Sequence, residues 1–190
     1  MKYLKYLLGI IALLGLLFIA KGFLTPTISY NSDFFVDKPI KEAWAVMNDE
    51  NKISQWLKGI TNIELISGEK GTVGAVTKYT YDEDGQESII FETIKAIRPN
   101  EHIAMSFVME GVMDMDYKVD FNEKDGKTHI KSSTINKGNG VFMRSMVSFM
   151  KNSMQAQEDE NMKNLKKLIE ENTTNYFPLP VVEPLENEQE

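Results

Sequence analysis

The sequence predicts an α+β domain in which one curved antiparallel sheet grips a single long C-terminal helix. Three observations carry this. Between Ile60 and Asn136, apolar and polar residues alternate with period two, and turn signals interrupt them at short intervals. From Val141 to Glu171 the period changes to three and four, and Met143, Met146, Val147, Met150, Met154, Leu165 and Leu168 recur on one helical face. At about 1.5 Å per residue these 31 residues reach roughly 46 Å, enough to cross a small domain. An apolar face that long needs a cover, and the strand-like segments ahead of it are the only candidates.

Composition narrows the function classes. The chain has 190 residues, enough for one domain with appendages, and 42% of them are hydrophobic, ample for a packed core. It has no cysteine, which excludes disulfides, thiolate nucleophiles and cysteine-ligated metals. His102 and His129 are too few for a histidine-rich metal site, and no cofactor is implied. The first 25 residues hold three of the 21 basic residues and no acid, leaving 18 basic against 28 acidic residues in the rest. A body that acidic repels nucleic acid and anionic surfaces, whose binding needs basic patches.

In chain order, Tyr6–Ala20 contains no charged residue. It is shorter than the roughly 20 residues that cross a bilayer core. Lys5 and Lys21 can snorkel, however, so Tyr3–Leu24 can span as a helix. A cleaved signal peptide is the rival reading, but Phe18-Ile19-Ala20-Lys21 offers no small-x-small cleavage site. Residues 1–25 are therefore expected to be an uncleaved anchor, and the protein a single-pass membrane protein. Lys2 and Lys5 lean the N-terminus inward and the domain to the extracytoplasmic side, a bias that Lys21, Lys38 and Lys41 weaken.

Thr27–Val36 reads as a first strand. Asp37-Lys38-Pro39 signals a helix start, with Asp37 suited to the N-cap and proline to the first turn. Two short helices follow, Pro39–Met47 with Trp44 on its apolar side and Glu50–Leu57 with Trp56. Both tryptophans read as core. Six strands come next: Thr61–Ser67, Val73–Tyr81, Glu87–Arg98, His102–Met109, Met113–Phe121 and Thr128–Asn136. Their short turns predict antiparallel pairing, and their alternation predicts one wet and one apolar sheet face. Gly138-Asn139-Gly140 breaks to the long helix. Residues 172–190 contain Pro178, Pro180 and Pro184 and no basic residue, and read as a flexible acidic tail, a place where a protein partner could bind.

This order resembles the SRPBCC superfamily, the helix-grip fold of START lipid-transfer domains, birch-pollen-type allergens and polyketide cyclase/dehydrase-like proteins. The residues that carry the resemblance are Val36–Trp44, Asn51–Trp56, Gly71–Ala75, Glu92–Pro99 and Asn164–Glu170. It covers residues 27–171 and implies a seven-stranded antiparallel sheet, two short helices after its first strand, and a cavity under the long helix. The superfamily includes carriers, enzymes and chaperone activators, so the fold by itself names no activity.

The candidate ligand-lining residues follow from that cavity. The strands supply Tyr79, Met105, Phe107, Met109, Met113, Met115 and Tyr117, and the helix supplies Met146, Met150 and Met154. Methionine is unbranched and polarizable, which suits adaptable binding surfaces as well as plain core packing. Gln157 and Asn161 interrupt the helix's apolar stripe. A buried amide without a partner costs about 1–3 kcal/mol, so each needs a partner: a strand, a water, or the polar head of an apolar ligand. Catalysis finds less support. His129 lies on a strand where Ile130, Ser132 and Thr134 are the inward set, and Asp114, Asp116 and Asp120 sit on the wet face. Three functions remain: an anchored carrier or sensor of a lipid-like molecule, a cyclase- or dehydratase-type enzyme, and an envelope interaction module.

Overall fold

The computed structural model describes residues 2–83 and 85–178. Helix α1 (Lys2–Leu24) is followed by β1 (Ile28–Val36), α2 (Ile40–Met47) and α3 (Glu50–Trp56). Strands β2 (Ile60–Ser67), β3 (Val76–Glu83), β4 (Gln86–Arg98), β5 (His102–Met109), β6 (Met113–Lys124) and β7 (Lys127–Gly138) lead into α4 (Gly140–Glu170). The seven strands form one sheet in the order β1-β7-β6-β5-β4-β3-β2, every neighbour antiparallel. This is the predicted α+β helix-grip arrangement.

Local chemistry sets the boundaries. Lys124 pairs with Lys127 across Asp125 and Gly126, whose φ values of 54° and 74° are both positive. Two positive φ angles make a turn whose twist matches the strands it joins, and Asp-Gly is the pair that tolerates them. The expected strand at Val73 starts only at Val76, because Glu69 to Ala75 closes on itself in turns. Asp37 does not cap α2. Pro39 takes the N-cap position with φ −59° and ψ 146°, since its ring fixes φ and biases the residue before it away from the helix. The entry is held instead by Thr128 Oγ1, which donates to the Lys38 carbonyl at 2.6 Å. Asp49 does cap α3, accepting from the Asn51 amide.

Helix α4 lies along β1 and β7, toward one side of the sheet. Its C-terminal half closes the main core, where Met162, Leu165 and Ile169 pack with Val46, Ile103, Phe121 and Ile130. Burying each such side chain contributes about 1.5–3 kcal/mol. Its buried residues are Ser145, Val147, Met162, Leu165 and Ile169, so the helix is rotated relative to the expected stripe, and Met146 and Met150 are exposed. The N-terminal half of α4 packs against α1 as well as against the sheet.

The chain after α4 stays against the domain for several residues. Asn172 is buried; its Nδ2 donates to Glu42 Oε1 at 2.8 Å, and its Oδ1 accepts from Lys52 Nζ at 2.7 Å. Tyr176 donates its hydroxyl to Asp49 Oδ2 at 2.7 Å. Asn172 and Tyr176, at the start of the expected tail, thus contact the domain, and residues 179–190 lie outside the described residues.

Candidate functional site

Because α4 rests on β1 and β7, the opposite arm of the sheet is left uncovered on its inner face. A groove of about 680 Å³ opens there, lined by Met150, Met154, Gln157 and Asn161 of α4 and by Leu57, Tyr81 and Ser88 across from them. Beneath α3 lies a narrower pocket of about 150 Å³, lined by Ile53, Trp56, Tyr79, Glu92, Met105 and Phe107. Leu57 and Tyr81 belong to both linings, so the pocket continues the groove inward. A volume of several hundred cubic ångströms, apolar with a few polar groups, is what a small-molecule site needs.

Two carboxylates face this side of the sheet, Glu92 buried and Glu158 half-buried. Strand alternation places Glu92 inward together with Ile94, which leaves it only 9% exposed. Tyr79 donates its hydroxyl to Glu92 Oε2 at 3.3 Å. Burial pushes the Glu92 carboxyl up to about 7, against the opposing pull of that hydrogen bond. The Tyr81 phenol is pushed up to about 12 by burial, with the Glu92 charge adding to the shift. The pocket lining thus includes a carboxyl that holds its proton in mildly acidic solution, and can both donate and accept there.

Glu158 of α4 is the second. Its Oε1 accepts from Tyr117 Oη at 2.9 Å and Ser132 Oγ at 2.5 Å, and burial raises its proton affinity. Thr134 and Asn136 are buried beside Ser132 along β7, and among the described residues their side-chain polar atoms have no hydrogen-bond partner. Inner-face registers set Tyr117 opposite Thr134 and Met115 opposite Asn136. This polar band under the middle of α4 separates the main core from the small cluster of Ile28, Tyr30 and Val147.

The expected lining residues fall in four places. Tyr79, Met105 and Phe107 line the inner pocket, and Met150, Met154, Gln157 and Asn161 line the groove. Met109, Met113, Met115 and Tyr117 stand on the same inner face, partly buried and outside both linings. Met146 is exposed on α4. Gln157 Nε2 donates to Asn161 Oδ1 at 3.1 Å, so each amide has the other as partner.

Glu92 and Glu158 were not among the residues singled out from the sequence, although signals existed for both. Glu92 is the one acid in the inward alternation of Ile90, Glu92 and Ile94. Met154, Glu158, Met162, Leu165 and Ile169 follow steps of four, four, three and four, a better helical stripe than the one through Gln157. His129 sits on the outer face, 2.8 Å from Asp33 Oδ2 and stacked on Phe35. Among the described residues, no three His, Asp or Glu side chains converge as a metal site would require.

A long helix held on a seven-stranded antiparallel sheet, with a groove between them, defines a helix-grip protein of the SRPBCC superfamily. Residues 42–176 match the model of the Pathogenesis-related protein Bet v 1 family, and the chain belongs to that family. Its structure is similar to that of Ara h 8.0201, with TM-score 0.56 and 17% identity over 73% of this chain and 98% of that one. It is likewise similar to TTHA0849 from Thermus thermophilus, with TM-score 0.61 and 10% identity over 75% and 97%. The di-domain ARO/CYC BexL from the BE-7585A biosynthetic pathway gives TM-score 0.61 and 16% identity, covering 77% of this chain and 51% of that one. At these identities the likeness is one of fold. No curated protein matches the chain significantly by sequence.

Proposed function

We propose that this chain is a membrane-anchored carrier or sensor that holds an apolar small molecule in the groove between α4 and the β3–β5 arm. One observation carries the proposal: a groove of about 680 Å³ that continues, past Leu57 and Tyr81, into a pocket walled by Trp56, Met105 and Phe107. Methionine on both walls suits an occupant whose shape varies. Gln157 and Asn161 at the helix side, and Tyr79 with Glu92 at the sheet side, offer hydrogen bonds to its polar end. The anchor in this proposal is α1, long and apolar enough to cross a bilayer, and its lysines favour an extracytoplasmic domain.

The test is native mass spectrometry of the full chain, extracted gently from its own membranes, followed by identification of any bound molecule. A discrete apolar adduct is expected, and Gln157→Trp, a change at an exposed groove position, should remove it. A clean apo mass that takes up no apolar probe afterwards would sink the proposal.

Glu92 also favours a second reading, in which the groove is an enzyme site of the cyclase or dehydratase type. A buried carboxyl in a pocket lining, its proton affinity raised to about 7, suits general acid–base work. The adduct separates the two. A carrier releases its ligand unchanged, whereas an enzyme converts a supplied polyketide-like substrate and loses that conversion in Glu92→Gln.

A further inference from the structure

We infer that the N-terminal half of α4 lies in the bilayer interface beside α1, so that the domain is seated on the membrane with the groove's Met150 edge at the lipid surface. The inference rests on the proposal that α1 spans a membrane.

The contact between the two helices carries it. Phe18 of α1 stacks on Phe149 with ring centroids 5.7 Å apart and meets Phe142 at 5.3 Å. Ser145 Oγ donates to the Phe18 carbonyl at 2.6 Å. At Gly22 the backbones come so close that a Cβ would overlap the Val141 carbonyl. Small residues at such a crossing let helix backbones approach, as they do in membrane interfaces. Phe18 lies six residues before Leu24, about 9 Å inside the end of α1 at 1.5 Å per residue. A side chain stacked on Phe18 shares that depth. An interfacial amphipathic helix buries its apolar face about 5–10 Å, which matches.

The exposed surface of α4 agrees. Phe149 is 64% exposed, Phe142 58%, Met150 48% and Met146 38%. At about 100° per residue these four fall within one side of the helix, between the α1 contact and the groove. Rings left bare next to an apolar α1 would form one continuous apolar patch, which a soluble domain rarely tolerates. The charge pattern agrees as well. In a chain of net charge −7, residues 140–157 contain Arg144 and Lys151 and no acid, whereas Glu158, Asp159 and Glu160 follow directly. Both basic residues fall on the side of the helix away from this stripe, so the stripe's own face carries no charge, as an apolar face laid in an interface requires.

The absence of native cysteine makes the test direct, since any introduced cysteine is the only labelling site. Nitroxide labels would be placed at Phe149→Cys, Met146→Cys, Glu160→Cys and Leu13→Cys in the full chain, reconstituted into phosphatidylcholine–phosphatidylglycerol vesicles. Collision with oxygen, which partitions into lipid, is compared with collision with a water-soluble nickel chelate. The expected result is a severalfold higher oxygen-to-nickel ratio at 149 and 146 than at 160, with position 13 the most lipid-exposed. Positions 149 and 146 matching 160, with 13 still in lipid, would overturn the seating while leaving the span intact. A nickel-accessible position 13 would overturn both.

Discussion

Glu92 and Glu158 bring a measurable cost to the fold at their own scale. In the unfolded chain a glutamate releases its proton near 4.5, whereas burial keeps the Glu92 proton on until about 7. Between those values the native state binds more protons than the unfolded state, so stability falls as pH rises. It is fullest below about 4.5, declines to about 7 and is level above that. A shift of this size corresponds to about 3 kcal/mol in total. Glu158 is shifted in the same direction by burial and adds to the same trend. Urea unfolding of the full chain at a series of pH values should therefore show a decline that Glu92→Gln largely removes, because a neutral amide fills the site without a proton to lose. If the variant keeps the parent's slope, Glu92 is not the group responsible. The position was readable in principle from a single acid inside an inward alternation. The size of the perturbation was not, because it depends on Trp56 and α3 closing over the pocket from a distant part of the chain.

At the scale of elements, the strands and helices were legible nearly to their ends because the apolar period switches from two to near four across Gly138-Asn139-Gly140. Turn chemistry supplied the boundaries, as at Asp125-Gly126. The facing of α4 was not legible. Two stripes on it have similar apolar character, one through Met146 and Met150 and one through Met154, Met162 and Leu165. Its C-terminal half is held by α2 and the sheet and its N-terminal half also by α1, more than a hundred residues earlier in the chain. Gly22 is where that contact can be broken. A Gly22→Leu side chain would collide with the Val141 carbonyl and Ser145, a backbone overlap that α4 cannot relieve by changing a rotamer. Overpacking of this kind costs about 1–3 kcal/mol. Hydrogen exchange of the variant in nanodiscs should speed severalfold at Gly140–Met150 and stay unchanged around Leu165, whose packing is with α2 and the sheet. Unchanged exchange along all of α4 would mean that α1 does not hold its N-terminal half.

At the scale of the whole molecule, charge and cavity together constrain what the groove can take. The chain carries −7 overall, and the one strongly buried acid in the pocket lining becomes anionic above about pH 7. An apolar occupant whose polar end reaches Glu92 meets a hydrogen-bonding neutral carboxyl at lower pH and a fixed negative charge at higher pH. Two like charges about 4 Å apart repel by roughly 4 kcal/mol at the effective dielectric of a protein surface. An alkanol escapes this term, whereas a fatty carboxylate does not. Displacement of a fluorescent apolar probe from the full chain in nanodiscs, each ligand corrected for its partition into the lipid, should show dodecanol at least about tenfold more effective than dodecanoate well above pH 7. The gap should narrow well below pH 7. The acid's own protonation narrows it too, so the deciding comparison is Glu92→Gln, in which dodecanoate should gain at high pH while dodecanol stays level. Equal displacement by both ligands in the parent chain would place the polar end elsewhere, toward the groove's outer wall, where Lys58, Gln157 and Asn161 stand.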